Sequence, residues 1–194
     1  MPSFDSSDAC HSPNMTAVLG LKVSNGIVLG VDGRICADTT VNSDSTPKWM
    51  VTNNILAAWA GDLGAIQQTQ RLWRAEEPTT LDECAGLVRG SVNAWDAVVF
   101  DRLTGELALL ASDHSMTAHD PFCVVGSGAD VMYGYLRGSV SQPTSYRGAR
   151  KYLSQVLGVA AERDSMVCGD FHLVTWKFSG EPEVHICKNG ILIE

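Results

Sequence analysis

Positive charge is scarce in this 194-residue sequence: 14 Lys and Arg stand against 22 Asp and Glu, a net charge of −8. A phosphate-binding surface needs a basic footprint, so nucleic acid is not an expected partner. No apolar run approaches the ~20 residues that a membrane-spanning helix requires, so no membrane partner is expected either. The sequence does not open on a basic segment followed by an apolar stretch, as a secretory signal would. None of the six cysteines forms Cys-x-x-Cys, and none stands at a usual zinc spacing from a histidine. The expectation is therefore a cytoplasmic protein with reduced, buried thiols, needing no metal or other cofactor.

What is present is a chain able to build a full core, with 45% hydrophobic and only 19% charged residues. Residues 1–15, MPSFDSSDACHSPNM, have no periodicity and read as a loose leader or a mis-assigned start, with one domain over 16–194. From Thr16 the pattern changes. AVLGLKV at 17–23 and IVLGVD at 27–32 flank Ser24-Asn25-Gly26, a turn whose Asn-Gly pair tolerates positive φ. A second strand pair is expected at 49–53 and 55–60, then helices over 62–75 and 81–94, the latter capped by Thr80 with Glu83 three residues on. A hairpin at 97–100 and 107–111 and a short strand at 122–125 follow, the strand leading into Gly126-Ser127-Gly128. A helix through Val131–Leu136 and one over 145–162 come next, then strands at 171–178 and 183–187 and a turn at Asn189-Gly190. In the 145–162 helix, Ala149, Tyr152, Leu153, Val156, Leu157 and Ala160 form the cleanest amphipathic stripe in the chain. Strands and helices in separate blocks predict an α+β protein with antiparallel sheets and helices outside them.

Three residues combine into a possible site. Thr16 opens the first strand, Asp32 ends its hairpin partner, and Lys48 stands just before the third strand. A hairpin brings its ends together, so Asp32 should lie near Thr16. Taken singly, a strand-end aspartate is a turn former and a strand-start lysine is a solvated charge. Two rival motifs fail. Gly126-Ser127-Gly128 has Val131 where a dinucleotide fingerprint needs its third glycine, and it lacks the spacing of a nucleophile elbow. Asp113, His114, His119 and Asp120 read as a polar loop rather than a metal cluster.

Taken with Gly30-Val31-Asp32-Gly33-Arg34, Ala60-Gly61, Gly126-Ser127-Gly128 and Arg163-Asp164, this constellation resembles the proteasome β-type peptidases of the N-terminal-nucleophile hydrolase family. The resemblance runs from Thr16 to about residue 178, and in core length it is nearest the small bacterial HslV-type members. It implies a four-layer αββα sandwich of two antiparallel sheets flanked by helices. It also implies threonine-type hydrolysis of unfolded polypeptide inside a homo-oligomeric ring, with an ATPase unfoldase as a possible partner. A threonine hydroxyl is a weak nucleophile and needs a base. An N-terminal threonine carries one, since a free α-amine titrates at roughly 7.7–8.0. The resemblance makes Thr16 the nucleophile, Lys48 the cation beside it and Asp32 the partner of Lys48. Ser127 and Asp164 become supporting residues around the amine and hydroxyl, and the Gly61 N–H becomes the oxyanion donor. It assigns Cys36 to backbone pairing with substrate and Trp59 to the specificity pocket, where a core aromatic is the alternative.

The chain departs from the family pattern at three places. Cys36 stands where a threonine is usual, Val167 where a serine is usual, and Met15 precedes Thr16 where members with propeptides carry glycine. An amide nitrogen cannot act as the base, so the mechanism requires Thr16 to become the first residue. Removal of Met15 as an initiator, or cleavage of a leader, would expose it. The rival functions are a catalytically inactive ring-forming subunit and a small-amide N-terminal-nucleophile amidohydrolase.

Overall fold

The structure is a computed structural model. It describes residues 16–33, 35–37, 40–43, 47–90, 94–139, 142–164, 167, 170–188 and 191–193, with backbone alone at 35–37 and 40–43. The chain runs β1 (Ala17–Val23), β2 (Gly26–Asp32), β3 (Ile35–Ala37), β4 (Thr40–Ser43), β5 (Trp49–Thr52) and β6 (Ile55–Gly61). After α1 (Leu63–Glu76) and α2 (Leu81–Gly86) come β7 (Trp95–Asp101), β8 (Glu106–Ala111), β9 (Met116–His119) and β10 (Phe122–Gly126). Helices α3 (Ala129–Gly138) and α4 (Tyr146–Arg163) precede β11 (Phe171–Lys177), β12 (Glu183–Lys188) and β13 (Ile191–Ile193).

Two antiparallel sheets result, one six-stranded in the order β10-β1-β2-β11-β12-β13 and one five-stranded in the order β5-β6-β7-β8-β9, with β3-β4 as a separate hairpin. Strand alternation sorts the apolar residues into three layers. Val18, Leu29, Leu56, Val98, Phe100 and Val174 pack where the sheets face each other. Leu19, Leu21 and Leu173, on the opposite face of the six-stranded sheet, meet Leu153, Val156 and Leu157 of α4 and Met132 of α3. Ala57, Trp59, Trp95 and Val99, on the opposite face of the five-stranded sheet, meet Ile66 and Trp73 of α1 and Cys84 of α2. This is the helix–sheet–sheet–helix sandwich that the family resemblance implied.

Helices α1, α2 and α4 begin at side-chain caps, whereas α3 starts from Gly128 with none. Asp62 Oδ1 accepts from Ala65 N at 2.7 Å to start α1, and Ser145 Oγ accepts from Gly148 N at 3.2 Å to start α4. At α2, Thr80 Oγ1 accepts from Glu83 N at 3.2 Å, but the Glu83 carboxylate reaches past Thr80 to Thr79 N at 2.7 Å. Thr79 Oγ1 donates to the same carboxylate at 3.0 Å, and the two bonds from Thr79 hold the Glu83 carboxyl below its ordinary range.

The expected helix over 81–94 is cut short: α2 ends at Gly86, and Gly90 has φ +137°. Val88 is buried from the segment beyond the helix, which is why its apolar spacing reads as helical. The β3–β4 hairpin, β9 and β13 have no counterpart in the sequence reading, because each is only three or four residues long and carries too few side chains for a period to show. Residues 1–15, the Asn189-Gly190 turn, Cys10 and Cys168 lie outside the described residues. Cys84, Cys123 and Cys187 are free and buried, and burial pushes the Cys84 and Cys123 thiols up to about 12, so both stay protonated.

Leu157 is fully buried between α4 and the six-stranded sheet. Leu157→Ala should lower stability by about 2–5 kcal/mol, read as a drop in the urea midpoint with an unchanged slope.

Candidate active site

Thr16, Asp32 and Lys48 meet in the interior, with relative exposures of 2%, 0% and 5%. Lys48 Nζ donates to Thr16 Oγ1 at 2.5 Å and to Asp32 Oδ1 at 2.9 Å. The second carboxylate oxygen of Asp32 accepts from Ala17 N at 3.3 Å. The hairpin argument thus holds in space: β1 and β2 pair from Val18↔Val31 to Val23↔Gly26, so the start of one strand lies beside the end of the other. Lys48 arrives from the facing sheet, where its carbonyl accepts from Trp59 N at 3.0 Å and continues the β5–β6 ladder.

Burying this ion pair carries a desolvation cost of several kcal/mol per charge, which only good geometry and further hydrogen bonds offset. Both are present: the ammonium has two oxygen acceptors, and the carboxylate has a backbone donor besides the lysine. A cation held against the threonine hydroxyl favours its ionised form and lowers the cost of developing alkoxide.

Gly126-Ser127-Gly128 seats the threonine. Ser127 N donates to Thr16 O at 3.0 Å, and Gly126 has φ +99°. A Cβ on Gly126 would lie 1.7 Å from Thr16 O, so no other residue fits without moving Thr16. Gly128 packs toward Val167 and Ala17, with the place of its missing Cβ 3.0 Å from Val167 Cγ2 and 3.7 Å from Ala17 Cβ. The turn after α4 is thereby brought up to the start of β1. Asp164 caps α4, its N–H donating to Ala160 O at 2.8 Å and its carbonyl accepting from Val167 N at 3.0 Å. Ser127 itself is exposed, and Asp164 is half-buried.

Gly61 ends β6 at φ +135°, where a Cβ would come within 2.4 Å of Ala94 O. The Trp59 amide points to the β5 edge, where it meets Lys48 O. Alternation along the strand turns the Gly61 amide toward that same edge two residues later. Trp59, by contrast, lies on the α1 face of the sheet, fully buried, its ring edge-on to Trp73 at 5.3 Å and 62°. Among the sequence alternatives this placement is that of a core aromatic, and contact with a bound side chain would have to pass through its neighbours. Cys36 lies in β3, paired with Val41, and only its backbone is described.

Three of the four polar loop residues have local partners. His114 Nδ1 lies 3.0 Å from Ala85 O, Asp113 Oδ1 accepts from Ser115 N at 2.8 Å, and Asp120 pairs with Lys22 at 3.2 Å. Sequence reasoning missed the Thr16 carbonyl contact with Ser127, the Ala17–Asp32 bond, and a hydrogen bond from Trp49 Nε1 to His172 Nδ1 at 3.2 Å. The paired glycines hinted at the first. Nothing in the sequence hints at the last, which joins residues from different sheets.

The proteasome subunit family model matches residues 14–77, a stretch that holds Thr16, Asp32, Lys48 and Gly61. The chain is similar to the proteasome subunit beta type-9 of Homo sapiens, 24% identical over 188 residues that cover 85% of this chain and 83% of that protein. The corresponding protein of Bos taurus is 23% identical over 183 residues, covering 82% and 81%. That of Oncorhynchus mykiss is 22% identical over 199 residues, covering 91% and 89%. These matches bear out the resemblance to the proteasome β-type family.

If the buried charges hold each other in place, Lys48→Met should cost about 3–5 kcal/mol by leaving the Asp32 carboxylate uncompensated. Asp32→Asn combined with Lys48→Met should recover most of that loss. Urea denaturation of the three proteins checks it.

Proposed function

We propose that this chain, a relative of proteasome β-type subunits, is a threonine-type peptidase whose nucleophile is Thr16 once that residue is the chain's first. The observation that carries the reading is the position of Lys48 Nζ, 2.5 Å from Thr16 Oγ1 and 2.9 Å from Asp32 Oδ1. The family match begins at residue 14, two residues before Thr16, which supports a functional domain starting there.

In this reading the Thr16 α-amine takes the hydroxyl proton while Oγ1 attacks a peptide carbonyl. Lys48 stabilises the developing charge on Oγ1, and Asp32 holds Lys48. The new C–O bond gives a tetrahedral oxyanion, for which the Gly61 N–H is the donor; such a donor contributes about 3–4 kcal/mol in the transition state. Collapse expels the amine of the departing peptide with the proton returned from Thr16 N. Water then attacks the ester while giving a proton to the Thr16 amine, the acyl–Oγ1 bond breaks, Oγ1 takes that proton back, and the carboxylic acid leaves. Ser127 and Asp164 support the amine and hydroxyl from the β10–α3 turn and the end of α4.

Substrate is unfolded polypeptide. The assembly is a homo-oligomeric ring that confines the sites, with an ATPase unfoldase as feeding partner and a cytoplasmic location. Val184, Ile186, Ile191 and Ile193 stay 41–70% exposed on one face of β12–β13, apolar surface available for subunit contact. Among the described residues no helix is long and apolar enough to cross a membrane.

Protein beginning at Thr16 should cleave unfolded casein, and N-terminal sequencing of native material should read Thr first. Thr16→Ala should fold and assemble normally but lose at least about 10³-fold in turnover. Turnover of small amides without casein cleavage would favour the amidohydrolase, and a native chain that always retains residue 15 would favour the inactive subunit.

A further inference from the structure

Thr16 and Asp32 belong to the six-stranded sheet, whereas Lys48 leads into the five-stranded one. Apolar attraction between sheets is non-directional, and the interdigitation of side chains seats the layers, so a directional bond between them adds a further constraint on their offset. Lys48 crosses from one layer to the other, so that offset bears on whether Nζ meets Oγ1. A directional bond between the sheets stands next to Lys48. Trp49 is the first residue of β5, and its indole Nε1–H donates across the layers to His172 Nδ1 at 3.2 Å. His172 pairs with Val31 across β11–β2, beside the pairing of Phe171 with Asp32. Adjacent residues on one sheet, 48 and 49, therefore bond to adjacent registers on the other.

The chemistry of the two rings fixes the polarity of this contact. Indole N–H is only a donor, so Nδ1 accepts and the proton of the neutral imidazole sits on Nε2. His172 is 5% exposed, and burial draws it toward the neutral form, with Asp170 pulling weakly the other way. Among the described residues, the neighbouring ion pairs are Lys48–Asp32 at 2.9 Å and Lys188–Asp170 at 3.8 Å.

We propose that His172, through Trp49, is a positioning residue that sets the offset between the sheets and thereby the reach of Lys48 to Thr16. Its kinetic consequence rests on the peptidase reading above, while the contact itself does not. In Thr16-initiated protein, His172→Leu should lower kcat by about tenfold or more with KM little changed, because a small displacement of a catalytic group acts on the transition state. His172→Asn, whose Oδ1 can take the place of Nδ1, should restore most of kcat. Trp49→Phe should match His172→Leu, and the double variant should lose no more than either.

Two spectroscopic signals test the proposal without turnover. The Trp49 indole N–H resonance, assigned by its loss in Trp49→Phe, and the Lys48 side-chain resonances should both move in His172→Leu and return in His172→Asn. Unmoved Lys48 resonances overturn the proposal, as does a His172→Asn protein as impaired as His172→Leu at equal thermal stability. A wild-type protein that cleaves nothing counts against the peptidase reading alone, since the resonances still decide the positioning role.

Discussion

A lysine from one sheet must reach a carboxylate and a hydroxyl held by the other. Every distinctive feature of this molecule serves that meeting. The Lys48 ammonium lies between Thr16 and Asp32 in an interior from which water is largely withdrawn. Such a cation would be expelled from an apolar layer unless paired, and the pair would be costly unless its remaining carboxylate lone pairs and ammonium protons were engaged. The Ala17 amide and the Thr16 hydroxyl supply those partners, so the electrostatics of the site and the start of β1 are one construction.

The backbone around Thr16 is equally constrained. Gly126 leaves room for the Thr16 carbonyl, and the Ser127 amide binds that same oxygen. This fixes the carbonyl side of the residue and leaves the hydroxyl to Lys48. On the facing sheet Gly61 ends β6 in a conformation a side chain would forbid, placing its amide at the edge where Lys48 enters. The two glycine-bearing strand ends lie close together, since the missing Cβ of Gly126 would also be 3.2 Å from Ala60 Cβ. A hydroxyl, a cation and a backbone amide are thus gathered by strand ends rather than by long loops.

The layer structure was largely legible in the sequence because its signals are local. The Asn25-Gly26 turn and the seven-residue apolar strands on either side of it mark β1 and β2, and the eighteen-residue stripe of α4 marks the helix over them. The boundaries that escaped are those where burial mimics periodicity, as at Val88 beyond the end of α2, or where a strand is too short to show alternation, as at β9. Trp59 shows the limit for the site. Its neighbours Ala60 and Gly61 are well placed by sequence position, but which face of the sheet its ring occupies follows from strand alternation against α1 and Trp73.

By itself the sequence determined that Asp32 would lie beside Thr16, since a two-residue turn brings the ends of its strands together, whereas the roles of these residues came only from the resemblance. Only the tertiary structure decided that Lys48 joins them, that Trp49 meets His172, and that the Thr16 carbonyl rests in the space left by Gly126. These contacts cross between layers or between strands far apart in the chain. Their partners are chosen by how the sheets pack, and no spacing along the chain encodes that.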